Sequence, residues 1–167
     1  MRKWMAVGTA LLVGLVLGTV GYAVDEGVNV SWDSQWFIRL TIDELSVSLG
    51  TIGGDDGPGS YDPNSGEWEP LESTGHGGWV LSNNPNGFTL TVSAANEGGY
   101  EEADLSRFFI TGWTTEGWQA LNDTVTLGTR GNAGRQDLDD IGYRYEPSFD
   151  DAPGDYEVTV TFTATTE

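Results

Sequence analysis

Apolar and polar side chains alternate with a period of two along most of this chain, a pattern that predicts strands rather than helices. Val28, Val30 and Trp32 alternate with Asn29 and Ser31. Trp36, Ile38, Leu40 and Ile42 follow, separated by Phe37, Arg39 and Thr41, and then Leu45, Val47 and Leu49, separated by Ser46 and Ser48. Trp79 to Ser82 opens a further strand. Phe88, Leu90, Val92 and Ala94 form the next, with threonine and serine on the opposite face. Between those two runs, Asn84-Pro85-Asn86-Gly87 has turn-forming residues and reads as a hairpin connection. Leu105 to Trp113, the neighbourhood of Val125 and Leu127, Ile141 to Tyr145, and Tyr156 to Ala164 supply the remaining strands. A helical turn is expected only around Glu101 to Ser106.

Two stretches interrupt the alternation. The segment Ile52 to Gly78, rich in Gly, Pro, Ser, Asp and Glu, reads as one long acidic surface loop at about residues 53–78; Arg130 to Asp140 reads as a second loop. Eight or nine short strands with one apolar face each must cover that face. The expected fold is therefore all-β, an antiparallel β-sandwich of immunoglobulin-like or jelly-roll type.

The first residues follow a different rule. Met1-Arg2-Lys3 is positively charged, Ala6 to Val20 is uncharged and largely apolar, and Tyr22 lies between the small residues Gly21 and Ala23. These are the parts of a secretory signal peptide over residues 1–23, leaving one mature domain over residues 24–167. Retention of the same stretch as a membrane anchor is the competing reading; after cleavage no membrane segment is expected. The chain is read as secreted, to the extracellular space or the cell surface.

Charge narrows the partners. The 167 residues carry 26 Asp and Glu, 7 Lys and Arg and no Cys, for a net charge of −19. Removing Arg2 and Lys3 with the leader gives −19 − 2 = −21, with five arginines and no lysine. Such a chain repels phosphate backbones, so nucleic acid is excluded as a partner. Without cysteine there is no disulfide framework and no thiolate chemistry. A dense carboxylate surface also stays hydrated in concentrated salt, so charge alone does not argue for assembly.

Catalytic patterns are absent. The single histidine, His76, falls in Thr74-Gly75-His76-Gly77-Gly78 and reads as an exposed loop residue, with no Gly-x-Ser-x-Gly elbow in the chain. One His and no Cys cannot build a multi-histidine zinc site. No cofactor is required. The one ion the acidic loops could hold is calcium, from Asp55, Asp56, Asp62 and Asn64 in one loop, Asp137, Asp139 and Asp140 in another, and Asp150 and Asp151 in a third. Most of the tryptophans fall inside predicted strands and read as core; Trp68, between Glu67 and Glu69, reads as exposed.

Gly78-Trp79-Val80-Leu81-Ser82 is a Trp-x-Leu in a strand, and Pro153 to Ala164 forms a closing strand with Phe162-Thr163-Ala164 where a second Trp-x-Leu would stand. This order resembles the WxL-type surface domains of Gram-positive bacteria, and more broadly pilin-like secreted β-sandwich proteins. The resemblance implies non-covalent attachment to the cell wall, with Trp79 and Leu81 as the matching positions. Two functions follow. One is a non-enzymatic surface protein, a filament or coat subunit that self-associates by strand addition through Val28, Val30, Trp32, Trp36 and Ile38. The other is a module binding carbohydrate or a cell-wall polymer, with Trp68 as the exposed aromatic and Trp79 and Leu81 as the Trp-x-Leu positions.

Overall fold

The computed structural model describes residues 35–53 and 57–166, all within the compact unit Ser34–Glu167. Residues 1–23, expected to be a signal peptide, and Val28, Val30, Trp32, Asp55 and Asp56 lie outside the described residues. The described residues form ten strands: β1 Ile38–Ile42, β2 Tyr61–Asp62, β3 Glu67–Trp68, β4 Leu71–Ser82, β5 Phe88–Asn96, β6 Phe108–Gly112, β7 Thr115–Ala120, β8 Val125–Arg130, β9 Gly134–Tyr145 and β10 Val158–Thr165. A single 3-10 turn, Leu105–Arg107, occupies part of the predicted helical stretch, capped by Asp104, whose side chain accepts from the Ser106 N–H. Every strand pairing is antiparallel. A five-stranded sheet has the order β1-β4-β9-β6-β7, a three-stranded sheet the order β10-β5-β8, and β2-β3 form a small hairpin.

One core joins the two larger sheets. Val80 from β4, Ile110 from β6 and Leu138 and Ile141 from β9 meet Phe88, Leu90 and Val92 from β5 and Leu127 from β8, all essentially inaccessible to solvent. Each such side chain contributes roughly 1.5–3 kcal/mol through burial. The alternating outer positions of β5 and β10 are mostly threonine and serine, as solvated strand faces require.

The structure corrects four expectations. Leu45 to Leu49 is not a strand: Val47 and Leu49 pack against the core while the backbone runs unpaired by any sheet. The acidic loop is shorter than expected, because it contains β2 and β3 and ends at Leu71, where β4 begins. The polar residues Glu72 and Thr74 lie on the outer face of β4, which hid the strand from a pattern based on apolar content. The loop over Arg130 to Asp140 likewise yields β9 from Gly134 onward, with Arg135 and Asp137 outward and Leu138 inward.

Fourth, the Asn84–Gly87 turn forms but does not make a hairpin. The Gly87 N–H donates to the Asn84 carbonyl at 2.9 Å and the Asn86 N–H to Asn84 Oδ1 at 3.0 Å. Yet β4 pairs with β1 and β9, whereas β5 pairs with β10 and β8. The chain crosses from one sheet to the other here, because Val80 and Ser82 before the turn and Phe88 after it all face the shared core. Gly87 is obligatory at the crossing: its φ is 81°, and a Cβ there would lie 1.5 Å from the Arg130 carbonyl oxygen.

The two sides of the core differ. The inner residues of β4, β5, β6, β8 and β9 include the fully buried ones, whereas Ile38, Leu40 and Ile42 of β1 and Val158, Val160, Phe162 and Ala164 of β10 are only half-buried. β1 and β10 are both edge strands, and they lie against each other.

Candidate functional site

His76 is the first site residue the fold relocates. It lies within β4, not in a loop, and is 9% exposed. A register irregularity between Ser73 and His76, with Gly75 at φ 84°, turns the strand so that both side chains meet. His76 Nε2 is 2.8 Å from Ser73 Oγ, and Nδ1 is 2.6 Å from Glu44 Oε2. The Glu44 carboxylate can only accept, so Nδ1–H donates to it, and Nε2 is the ring nitrogen that meets the serine hydroxyl. This serine–histidine–carboxylate order is the one used in acyl transfer, and sequence reasoning missed it because Glu44 is 32 residues away in the chain. Neither of the two main surface recesses is lined by Ser73 or His76. The contact ties the segment after β1 onto β4. Beside it, burial first and the Glu44 charge second push the Tyr143 hydroxyl up to about 12.

The larger recess, about 520 Å³ and open, is lined by Thr74, Thr111, Trp113, Gln136 and three carboxylates, Asp137, Asp139 and Asp140. Trp113 and Asp140 are the two described non-glycine residues with positive φ, at 53° and 58°. The Trp113 N–H donates to the Asp139 carbonyl at 3.2 Å, closing the β6–β7 turn onto β9. The Trp113 indole stacks on Phe88 at 5.7 Å and fills the space left by Gly128, so its ring serves the core. Three of the predicted calcium carboxylates therefore share one recess. Asp62 stands apart on β2, where its carboxylate accepts the Asn64 N–H and is held below the usual range chiefly by that bond. Among the described residues, no three His, Asp or Glu side chains converge as a metal-holding group.

Trp79 and Leu81 lie on the outer face of β4, with Thr41 and Arg39 opposite them on β1 and Asp137 and Arg135 opposite them on β9. Because β1 and β9 flank β4, the indole receives a guanidinium from each side: Arg39 lies 5.3 Å and Arg135 5.2 Å from the ring centroid. Arg135 is also bonded to Asp137 at 2.8 Å.

Trp68 is half-buried rather than exposed. Its ring meets Tyr61 and Phe149 at centroid distances of 5.5 and 5.3 Å, tilted by 55° and 66°, in a small aromatic cluster over the β2–β3 hairpin. Close by in sequence to Phe149, Asp151 accepts from Arg107 Nη2 at 2.5 Å, Tyr145 Oη at 2.8 Å and the Ser148 N–H at 2.8 Å. Burial alone would raise the Asp151 carboxyl, but the Ser148 N–H, Arg107 and Tyr145 outweigh it and hold it below its ordinary value. Of the predicted assembly residues, Trp36 is 63% exposed and Ile38 begins β1, opposite Ser82 of the same chain.

Compared with protein-family models, curated proteins and solved structures, the chain matches none. No helix among the described residues is long and apolar enough to cross a membrane.

Proposed function

We propose that the protein is a non-enzymatic, exported surface subunit that builds a filament or coat by strand addition between copies. One observation carries this reading: the side of the core formed by β1 and β10 is half-covered and ends in two edge strands. An edge strand offers unpaired N–H and C=O groups, and here it also offers an alternating apolar row, Val158, Val160, Phe162 and Ala164. Residues 28–32 of a neighbouring copy have the matching alternation, and the exposed Trp36 and Phe37 lead toward them. In this reading the two large sheets are the layers of a β-sandwich of immunoglobulin-like or jelly-roll type, and residues 1–23 are its export signal.

The polymer-binding alternative asks for coplanar exposed rings. The mutual tilts of Tyr61, Trp68 and Phe149, and the arginine on each flank of Trp79, favour the subunit reading instead. The test is electron microscopy with sedimentation of the purified protein. Filaments or oligomers are expected, lost on deletion of residues 24–33 and on Val160→Lys at the open edge. A protein that stays monomeric at every concentration, or assembles equally well after both changes, overturns the reading.

A further inference from the structure

The two ends of the strands carry opposite charge. Register brings the segments 35–39, 81–88, 130–136 and 163–166 to one end: Arg39 and Arg135 both lie opposite Leu81, Ser82 opposite Ile38 and Gly134, Phe88 opposite Arg130, and Thr165 opposite Thr89. These segments hold three arginines and no Asp or Glu, and the next residue of β9, Asp137, is the one carboxylate paired there, bonded to Arg135 at 2.8 Å. Arg130 Nη1 donates to the Arg135 carbonyl at 2.6 Å, which keeps two of the three together. Neither Arg39 nor Arg130 forms an ion pair among the described residues.

At the other end, Leu71 and Phe108 both lie opposite Tyr145, Val158 lies opposite Asn96, and the Glu97 and Glu101 N–H groups donate to the Glu157 and Asp155 carbonyls. The segments gathered here, 67–72, 96–107 and 144–158, hold twelve Asp and Glu against two arginines, 2 − 12 = −10. Both of those arginines, Arg107 and Arg144, are already paired with carboxylates. β4 runs from one end to the other in 12 residues, so the poles are roughly 35 Å apart at about 3.3 Å per residue.

We propose that the arginine pole docks the acidic pole of a second copy, joining copies head to tail. The inference rests on the self-assembly reading and adds the surface and direction of contact. A second copy is favoured over a polyanionic polymer for two reasons. The complementary charge is on the same molecule, and the net charge of −19 repels a long polyanion that must pass the whole body. Guanidinium forks also match carboxylates bidentately. The contact uses different patches on the two partners, so it does not close on itself and propagates as an open filament.

A charge swap in the full chain tests this. Sedimentation velocity would be run on the wild type, on Arg39→Glu/Arg135→Glu and on Glu101→Lys/Glu102→Lys, at 50 mM and 1 M NaCl. Near-UV circular dichroism confirms that each variant is folded. Expected are self-association that weakens with salt, at least tenfold weaker association for Arg39→Glu/Arg135→Glu, whose pole changes sign (3 − 4 = −1), and a smaller loss for Glu101→Lys/Glu102→Lys, whose pole stays acidic (−10 + 4 = −6). A folded Arg39→Glu/Arg135→Glu variant that associates like the wild type, or wild-type association that is insensitive to salt, overturns the head-to-tail contact. If association survives the swaps but is lost on deletion of residues 24–33, strand addition stands without the poles. If the swaps act and the deletion does not, the poles stand without strand addition. A wild type that never associates overturns both. Binding of soluble polyphosphate through Arg39 and Arg135 without salt-sensitive self-association assigns the pole to a polyanion and overturns the proposal.

Discussion

The core of this protein has a finished side and an unfinished one. Where β4, β9 and β6 face β5 and β8, Leu138, Ile110, Phe88 and Leu127 are closed off from water; where β1 lies against β10, side chains of the same chemistry remain half in solvent. Composition does not distinguish the two. Val160 and Phe162 are as apolar as Val92 and Phe88, and their strand alternates as cleanly. Edge position alone does not make the difference, since β8 is also an edge strand and its Leu127 is fully buried; β1 and β10 combine an edge position with inner side chains left half in solvent. Burial is thus concentrated on one side, and the other keeps its apolar side chains half in solvent.

Mutations on the two sides separate these roles, starting with the largest effect. Leu138→Ala should cost about 2–5 kcal/mol in urea unfolding, because its site is fully enclosed. Phe162→Ala on the open side should cost less than half as much in the isolated protein, despite the larger side chain. If the two costs are equal, the β1–β10 side is as tightly closed as the other. In assembled protein the Phe162 variant should instead lower the assembled fraction.

Asp151→Asn should cost about 1–3 kcal/mol, since it leaves a largely buried arginine and its hydroxyl and N–H partners without their charged acceptor. The folded pKa of Asp151 lies below the unfolded one. Its contribution is therefore present above about pH 3.9 and is lost as pH falls through the lower native value. Acid unfolding of the wild type should steepen there, and the variant should lack that component. At the alkaline end the sign reverses: Tyr143 is held neutral up to about 12, so its contribution is intact below about pH 10 and is lost as pH rises from 10 toward 12. Tyr143→Phe should flatten that limb of the stability profile.

The smallest effect is expected at the serine–histidine–glutamate contact. Glu44 is 58% exposed, so Glu44→Gln should change stability by no more than about 1 kcal/mol. If the contact is structural, Ser73 should react with a fluorophosphonate no faster than the exposed Ser46. Selective labelling of Ser73, abolished by His76→Gln, would assign the group to catalysis and end the non-enzymatic reading.

Local alternation identified β1, β5, β10, most of β6 and β8 and the last part of β9, Ile141 to Tyr145, since a strand with one buried face must repeat every second residue. It failed where the buried face was not apolar. In β4, Ser73, His76 and Gly78 occupy inward positions that larger aliphatic residues usually fill, and the first half of the strand looked like loop. It also failed at Asn84–Gly87, where the turn chemistry was read correctly and the pairing was not. A tight turn fixes the reversal of the chain, but whether two strands then pair or cross between sheets depends on which faces must be buried together.

The sequence by itself determined an all-β, antiparallel chain and its strongly negative charge, because period, composition and net charge are local or additive properties. Tertiary structure alone decided that Glu44 and Ser73 meet His76, that Arg39 and Arg135 flank Trp79, and that arginines and carboxylates gather at opposite ends of the strands. Those facts depend on register and sheet order between segments far apart in the chain, which no local pattern encodes.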